Sequence, residues 1–234
     1  VVERDALGSF EQPNGIIPFR ISREQAGAAI KERLRGLSER LQGMFNNNKV
    51  TRATLNGYYL PFWVFDALIE VTRTRVDNSR SGYDRRLYIT DPYSRSTFND
   101  AQYDVEVCAV KSPPRSLVNR LGDYHLRDLA DYTPELLAKY PAQLYSLDFD
   151  QAALEARSLV STAMRIKYGQ REVTDNDVII NVATNIQNMS FQLVLLPVWI
   201  ATLVEQDKDV RPALVNGQTG KVVLGKARKP GKGA

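Results

Sequence analysis

The sequence predicts an α+β chain of two related strand-helix-multistrand halves that form a mainly antiparallel sheet with packed helices. Two amphipathic helix patterns, each opened by a capping signal, are followed by runs of alternating apolar residues. The order Phe19, Ile21, Ser22, Gln25, Ala26 returns as Tyr145, Leu147, Asp148, Gln151, Ala152, an offset of 151 − 25 = 126. Leu60-Pro61-Phe62-Trp63 returns as Leu196-Pro197-Val198-Trp199, an offset of 199 − 63 = 136, and one longer loop or hairpin in the second half absorbs the difference of about ten.

The elements follow in order. Residues 15–21 read as a short strand in which Pro18 restricts pairing to an edge or the beginning. Ser22 and Gln25 then have capping-box spacing, and Ala26, Ile30, Leu34, Leu37, Leu41 and Met44 recur at steps of three or four as far as the breaker Asn46-Asn47-Asn48. Residues 50–55 form a strand closed by Asn56-Gly57, and residues 58–76 a second, with Trp63, Phe65, Ala67, Ile69 and Val71 on the core face. Asp66, Glu70, Thr72 and Thr74 take the polar face. Turn residues at 78–82 and a strand over 83–90 complete a hairpin.

In the second half the helix stripe runs through Ala152, Ala156, Leu159, Ala163 and Ile166 and ends near Gly169. Strands follow, and Asn-Gly-Gln-Thr-Gly at 216–220 joins the arms of a closing hairpin, because Asn and Gly tolerate positive φ. The organisation is therefore a lead-in at 1–14, a first half at 15–90, a structured connector with short helices at 91–140, a second half at 141–225 and a flexible basic tail at 226–234.

Composition bounds the function. With 234 residues, 43% of them hydrophobic and 25% charged, the chain is long and apolar enough to bury a packed core. The longest apolar run, residues 193–204, is interrupted by Pro197 and Thr202 and falls short of the roughly 20 residues that span a bilayer. A single cysteine, Cys108, leaves no intrachain disulfide and no multi-cysteine zinc site, so a cytoplasmic setting is expected. The net charge of +4, from 31 basic and 27 acidic residues, permits acidic partners without requiring them. The opening Val1-Val2-Glu3 reads as the start of a fragment or of an ordered region.

Residues 16–21, 60–67, 132–145, 196–199 and 215–223, taken together, resemble a group of bacterial proteins that join an N-terminal zinc ribbon to a larger domain of unknown function. The resemblance implies a ribbon upstream of Val1, with any zinc held there and no cofactor in this chain. Some members of that group are labelled primosomal helicases, yet this chain has no Gly-x-x-x-x-Gly-Lys-Ser/Thr loop for a nucleotide. Some continue beyond the terminal hairpin into membrane segments, whereas this sequence passes into its basic tail.

No catalytic or metal-ligating set stands out. His125, the only histidine, has Asp123 and Asp128 near it and reads as an exposed or hydrogen-bonded loop residue; Cys108 reads as a buried small residue. Asp66 is an isolated acid with no second carboxylate positioned beside it, and Trp63 and Trp199 read as core. The nearest approach to a binding signal is basic: Arg73, Arg75, Arg80, Arg85 and Arg86 with Tyr83 and Tyr88 about the hairpin, and Lys226, Arg228, Lys229 and Lys232 in the tail. Cations neutralise phosphates and aromatic planes stack on bases, while the same charges on an edge hairpin also serve solubility. The expectation is a non-catalytic interaction or assembly module that meets a protein partner or a larger assembly, with a nucleic-acid-binding accessory protein as the alternative.

Overall fold

The computed structural model describes residues 11–40, 50–77, 95–122, 124–169 and 178–229. The fold is α+β, a mixed, mostly antiparallel sheet with packed helices. Its described elements are β1 (Gly15–Ile16), α1 (Arg23–Arg40), β2 (Val50–Asp77), β3 (Arg95–Cys108), the short α2 (Arg115–Val118), β4 (Ala130–Asp131), α3 (Phe149–Tyr168), β5 (Val178–Glu205), β6 (Val210–Asn216) and β7 (Val222–Leu224). Along the sheet the order is β3-β2-β5-β1-β4, with β6 paired to β5 and β7 to β6.

The chain divides into two compact units that interleave along the sequence. One takes Val1–Trp63, Cys108–Asp148 and Leu193–Ala234; the other takes Val64–Val107 and Phe149–Gln192. In the first, β1 runs parallel to β5 at Val194 and Leu195, and β6 runs antiparallel to β5 from Val198 to Val204. Helix α1 packs Ala26 and Ile30 with Trp199, Ala201, Leu203, Ala213 and Val215. Its start is a complete capping box: Gln25 N–H donates to Ser22 Oγ at 3.2 Å and Ser22 N–H donates to Gln25 Oε1 at 2.8 Å. In the second unit, Asp104 N–H donates to Asp66 and Thr72 meets Thr97, which fixes β3 beside β2. Phe65, Phe149 and Phe191 stack there, the last two with ring centroids 4.3 Å apart.

One hydrogen-bond pattern occurs twice within the first unit. Ile17 N–H donates to Leu195 O at 3.0 Å, and Gln143 N–H to Tyr59 O at 2.9 Å. Gly217 N–H donates to Pro197 O at 2.8 Å, and Ala109 N–H to Pro61 O at 3.0 Å. Arg20 and Ile21 both donate to Gly217 O, as Ser146 and Leu147 both donate to Ala109 O. Apart from Gly217 and Ala109, for which 217 − 109 = 108, the paired residues are related by 143 − 17 = 126 and 195 − 59 = 136, the spacings of the two sequence motifs.

Several expectations change. β2 is one strand from Val50 to Asp77, without a break at Asn56-Gly57, because Gly57 lets Tyr140 cross the strand: a Cβ there would lie 2.8 Å from the Tyr140 ring and 3.2 Å from Trp199. The region expected as a connector with short helices opens with β3, a 14-residue strand, before the short helical turns at 115–118, 126–128 and 134–137. The buried stripe of α3 is Ala152, Ala156, Val160 and Met164; Leu159 and Ile166 face solvent, because positions four apart follow the contact line with the sheet. The tail is not wholly loose: Arg228 and Val210 exchange two backbone hydrogen bonds, of 2.8 and 3.0 Å. The closing hairpin forms as expected, with Gly220 at φ +80°, and the core face of β2 is buried at Trp63, Phe65, Ala67, Ile69 and Val71. The strand expected at 83–90 lies outside the described residues.

Candidate functional site

Of the basic residues singled out from the sequence, the structure describes Arg73 and Arg75 in one compact unit and Lys226, Arg228 and Lys229 in the other. Arg73 is half-buried on β2, its Nε–H donating to Tyr168 O at the end of α3 at 3.2 Å, and Arg75 lies exposed two residues on. Arg80, Tyr83, Arg85, Arg86, Tyr88 and Lys232 lie outside the described residues. Lys226, Arg228 and Lys229 are exposed and belong to the other compact unit. His125 is an exposed loop residue gripped through its backbone: its N–H donates to Gln218 Oε1 at 2.8 Å, and its carbonyl accepts from Gln218 Nε2 at 3.2 Å. Gln218 also donates to Asp128, so it ties the 216–220 turn to this loop. Cys108 is buried at 1% exposure. Among the described residues, no three His, Cys, Asp or Glu side chains group as metal ligands.

The structure instead forms a cleft of about 840 Å³ in the first unit. Three segments build it: residues 18–24 leading into α1, residues 55–59 of β2, and residues 136–141. Its floor is aromatic. Phe19 packs on Tyr59, Tyr140 and Trp199, with centroids 5.1, 4.2 and 5.2 Å away, and Tyr140 meets Trp199 edge-on at 5.4 Å. Trp199 is locked in place by its indole N–H, which donates to Ile21 O at 2.9 Å. Burial pushes the Tyr59 hydroxyl above the ordinary tyrosine range, against a hydrogen bond from the Phe19 backbone.

The rim is charged. Arg20, Arg23 and Lys139 supply three cations against one carboxylate, Glu24, among the lining residues. Arg20 reaches Asp128 at 3.1 Å yet stays 58% exposed. Lys139 Nζ sits 5.2 Å from the Tyr140 ring centroid, a cation–π distance. The Glu24 carboxyl is held below the usual carboxylate range, first by its own backbone N–H in the opening turn of α1 and then by the Ser22 hydroxyl at 2.8 Å. A net positive rim over an aromatic floor attracts an anionic group that carries an apolar or planar body.

Sequence reasoning missed this cleft because its walls are separated by more than a hundred residues: Phe19 and Tyr140 stand 140 − 19 = 121 apart. The signal present was Gly57, a glycine inside a strand pattern, which marks a close approach.

Comparison with known proteins places the chain beside one relative of unassigned role. It is similar to "Uncharacterized protein YdjG" of Bacillus subtilis (strain 168), 28% identical over 229 residues, covering 94% of this chain. The chain spans 65% of that relative's length. No family model matches, and no solved structure matches.

Proposed function

We propose that this chain is a non-catalytic interaction module and that its binding face is the aromatic cleft at the start of α1. The observation that supports the reading most directly is the pairing of a packed aromatic floor with the cations Arg20, Arg23 and Lys139 at the rim. The partner this chemistry suits is a protein segment rich in Asp or Glu with an aromatic residue: its carboxylates meet the rim and its ring enters the floor. The Trp199 ring is fixed by its hydrogen bond and the Tyr59 ring by burial, so binding orders few side chains of the module and the entropic cost falls mainly on the partner.

The same proposal takes the two halves as copies of one strand-helix-multistrand unit, supported by the doubled hydrogen-bond pattern at offsets of 126 and 136 residues. It also takes the chain as the main domain of a cytoplasmic zinc-ribbon-type protein, in accord with the 65% share of YdjG that it spans. Paired Cys-x-x-Cys motifs encoded upstream of Val1 are the expected finding, and their absence removes the ribbon from the proposal.

Fluorescence polarisation with a labelled, acetylated and amidated pentapeptide of alternating Glu and Phe tests the cleft. Binding is expected, with roughly tenfold weakening for Arg23→Glu and again for Lys139→Glu as the field reverses. Equal binding of a Lys/Phe pentapeptide, or none of either, rejects the acidic-partner reading. A single-stranded oligonucleotide that binds with a steep salt slope, flattened by replacing Arg73 and Arg75, moves the assignment to nucleic acid.

A further inference from the structure

At one corner of the cleft, Arg20, Asp128 and Gln218 form a linked group of side chains. Gln218 is buried, and its amide is fully engaged: Oε1 accepts from the His125 N–H, while Nε2 donates to the His125 carbonyl and, at 2.7 Å, to Asp128 Oδ2. The Asp128 backbone is pinned as well, its N–H donating to His125 O at 3.0 Å. The carboxylate is therefore fixed in place. Arg20, which lines the cleft, reaches the same oxygen, with Nη2 3.1 Å from Oδ2.

This corner is built at one of two equivalent places in the fold. Arg20 and Ser146 make the same backbone hydrogen bond, to Gly217 O at 2.9 Å and to Ala109 O at 2.8 Å. Gln218 follows Gly217 as Val110 follows Ala109, and Val110 is a buried apolar side chain. The turn thus asks for a backbone N–H at the first position and a buried side chain at the second. It needs neither a guanidinium nor an amide, and a buried amide is costly unless its hydrogen bonds are met. The ion pair answers to the cleft that Arg20 lines, not to the turn.

The contact to Asp128 is single, through Nη2, whereas a carboxylate gripped as a fork makes two parallel bonds to a guanidinium. An ion pair made by an arginine that is 58% exposed is screened by water and weak. A partner carboxylate that arrives over the aromatic floor can take Arg20 from Asp128, and it gives up part of its affinity in doing so.

We propose that Asp128 is an internal competitor for Arg20, a specificity-determining residue outside the cleft lining that lowers affinity for acidic segments until a partner carboxylate displaces it. The proposal rests on the cleft being the binding face.

Fluorescence polarisation with the same Glu/Phe pentapeptide tests it on wild type, Asp128→Asn, Arg20→Gln and the double variant. Asp128→Asn keeps the shape and a carbonyl for Gln218, and it is expected to bind about threefold more tightly than wild type. Charge removal alone would give the same gain with or without Arg20, whereas competition requires the gain to shrink in the Arg20→Gln background. Asp128→Glu, which disturbs the same loop but keeps the charge, is expected to bind as wild type does. Asp128→Ser, also uncharged, carries the expectation of Asp128→Asn should that variant melt early. An uncharged variant no tighter than wild type, a gain of equal size in the Arg20→Gln background, or an equal gain in Asp128→Glu overturns the proposal. Binding by none of these proteins rejects the cleft itself as the binding face, a result distinct from binding without a gain.

Discussion

Trp63 and Trp199 make the same hydrogen bond, each to the residue just before a helix cap. The Trp63 indole N–H donates to Leu147 O at 3.1 Å, and the Trp199 indole N–H donates to Ile21 O at 2.9 Å. Each ring also meets the aromatic residue two positions earlier edge-on, Tyr145 at 5.8 Å and Phe19 at 5.2 Å. Trp63 lies early in the sequence and serves the late cap, while Trp199 lies late and serves the early one.

Parallel roles imply parallel costs. Replacing either Trp by Phe is expected to lower stability by about 1–3 kcal/mol through the lost bond and its unpaired carbonyl. Trp63→Ala should cost roughly 3–5 kcal/mol through lost burial and a residual cavity. Urea denaturation measures both, and near-wild-type stability for Trp63→Ala would contradict its core role.

Gly57→Ala is expected to destabilise the fold by about 1–3 kcal/mol, because its methyl group would overlap the Tyr140 ring and force it off Phe19 and Trp199. The double variant Gly57→Ala/Tyr140→Ala should lose less than the sum of the single losses. Thermal melts of the three variants check this coupling.

Gln218 is 5% exposed and holds the backbone of His125 from both sides while donating to Asp128. Gln218→Ala strands these groups, and a loss of about 1–3 kcal/mol is expected. Hydrogen exchange should show the amide of His125 opening faster in the variant, with the amides of α3 little changed.

Asp100 accepts from Lys167 Nζ and from Tyr168 Oη, each at 2.7 Å, clasping the end of α3 to β3. Lys167, and then Tyr168, hold the Asp100 carboxyl below its usual range, and Asp100 raises Lys167 above the usual lysine range. A lowered acid contributes stability above its unfolded value, about pH 4, and loses it as pH falls through the folded value. A raised lysine contributes fully below its unfolded value, about pH 10.4, and loses this as pH rises through the folded value. The stability difference between wild type and Asp100→Asn should therefore be widest between these limits and shrink on acidification. A difference that grows below pH 4 would contradict the assignment.

Much of the fold was legible wherever the local pattern carried the whole physical cause. Ser22 and Gln25 form their capping box because both partners lie within one turn, and Asn216–Gly220 turns because its residues tolerate the required backbone. The pattern misled where a distant residue decides. Gly57 reads as a turn until Tyr140, 83 positions on (140 − 57), is seen to cross it. Leu159 and Ile166 are apolar enough to suggest a buried stripe, but the sheet beneath α3 selects Val160 and Met164. The candidate site was the least legible part, since its floor joins residues 19, 59, 140 and 199.

The central claim, that the cleft at α1 is the binding face, is tested most directly by the two indole N–H resonances of the ¹⁵N-labelled chain, one from each of its 2 tryptophans. Titrating the Glu/Phe pentapeptide is expected to shift the Trp199 indole and the amides of residues 18–24, 55–59 and 136–141, while the Trp63 indole, absent from the cleft lining, stays in place. Shifts confined to other residues, or equal shifts of both indoles, would contradict it.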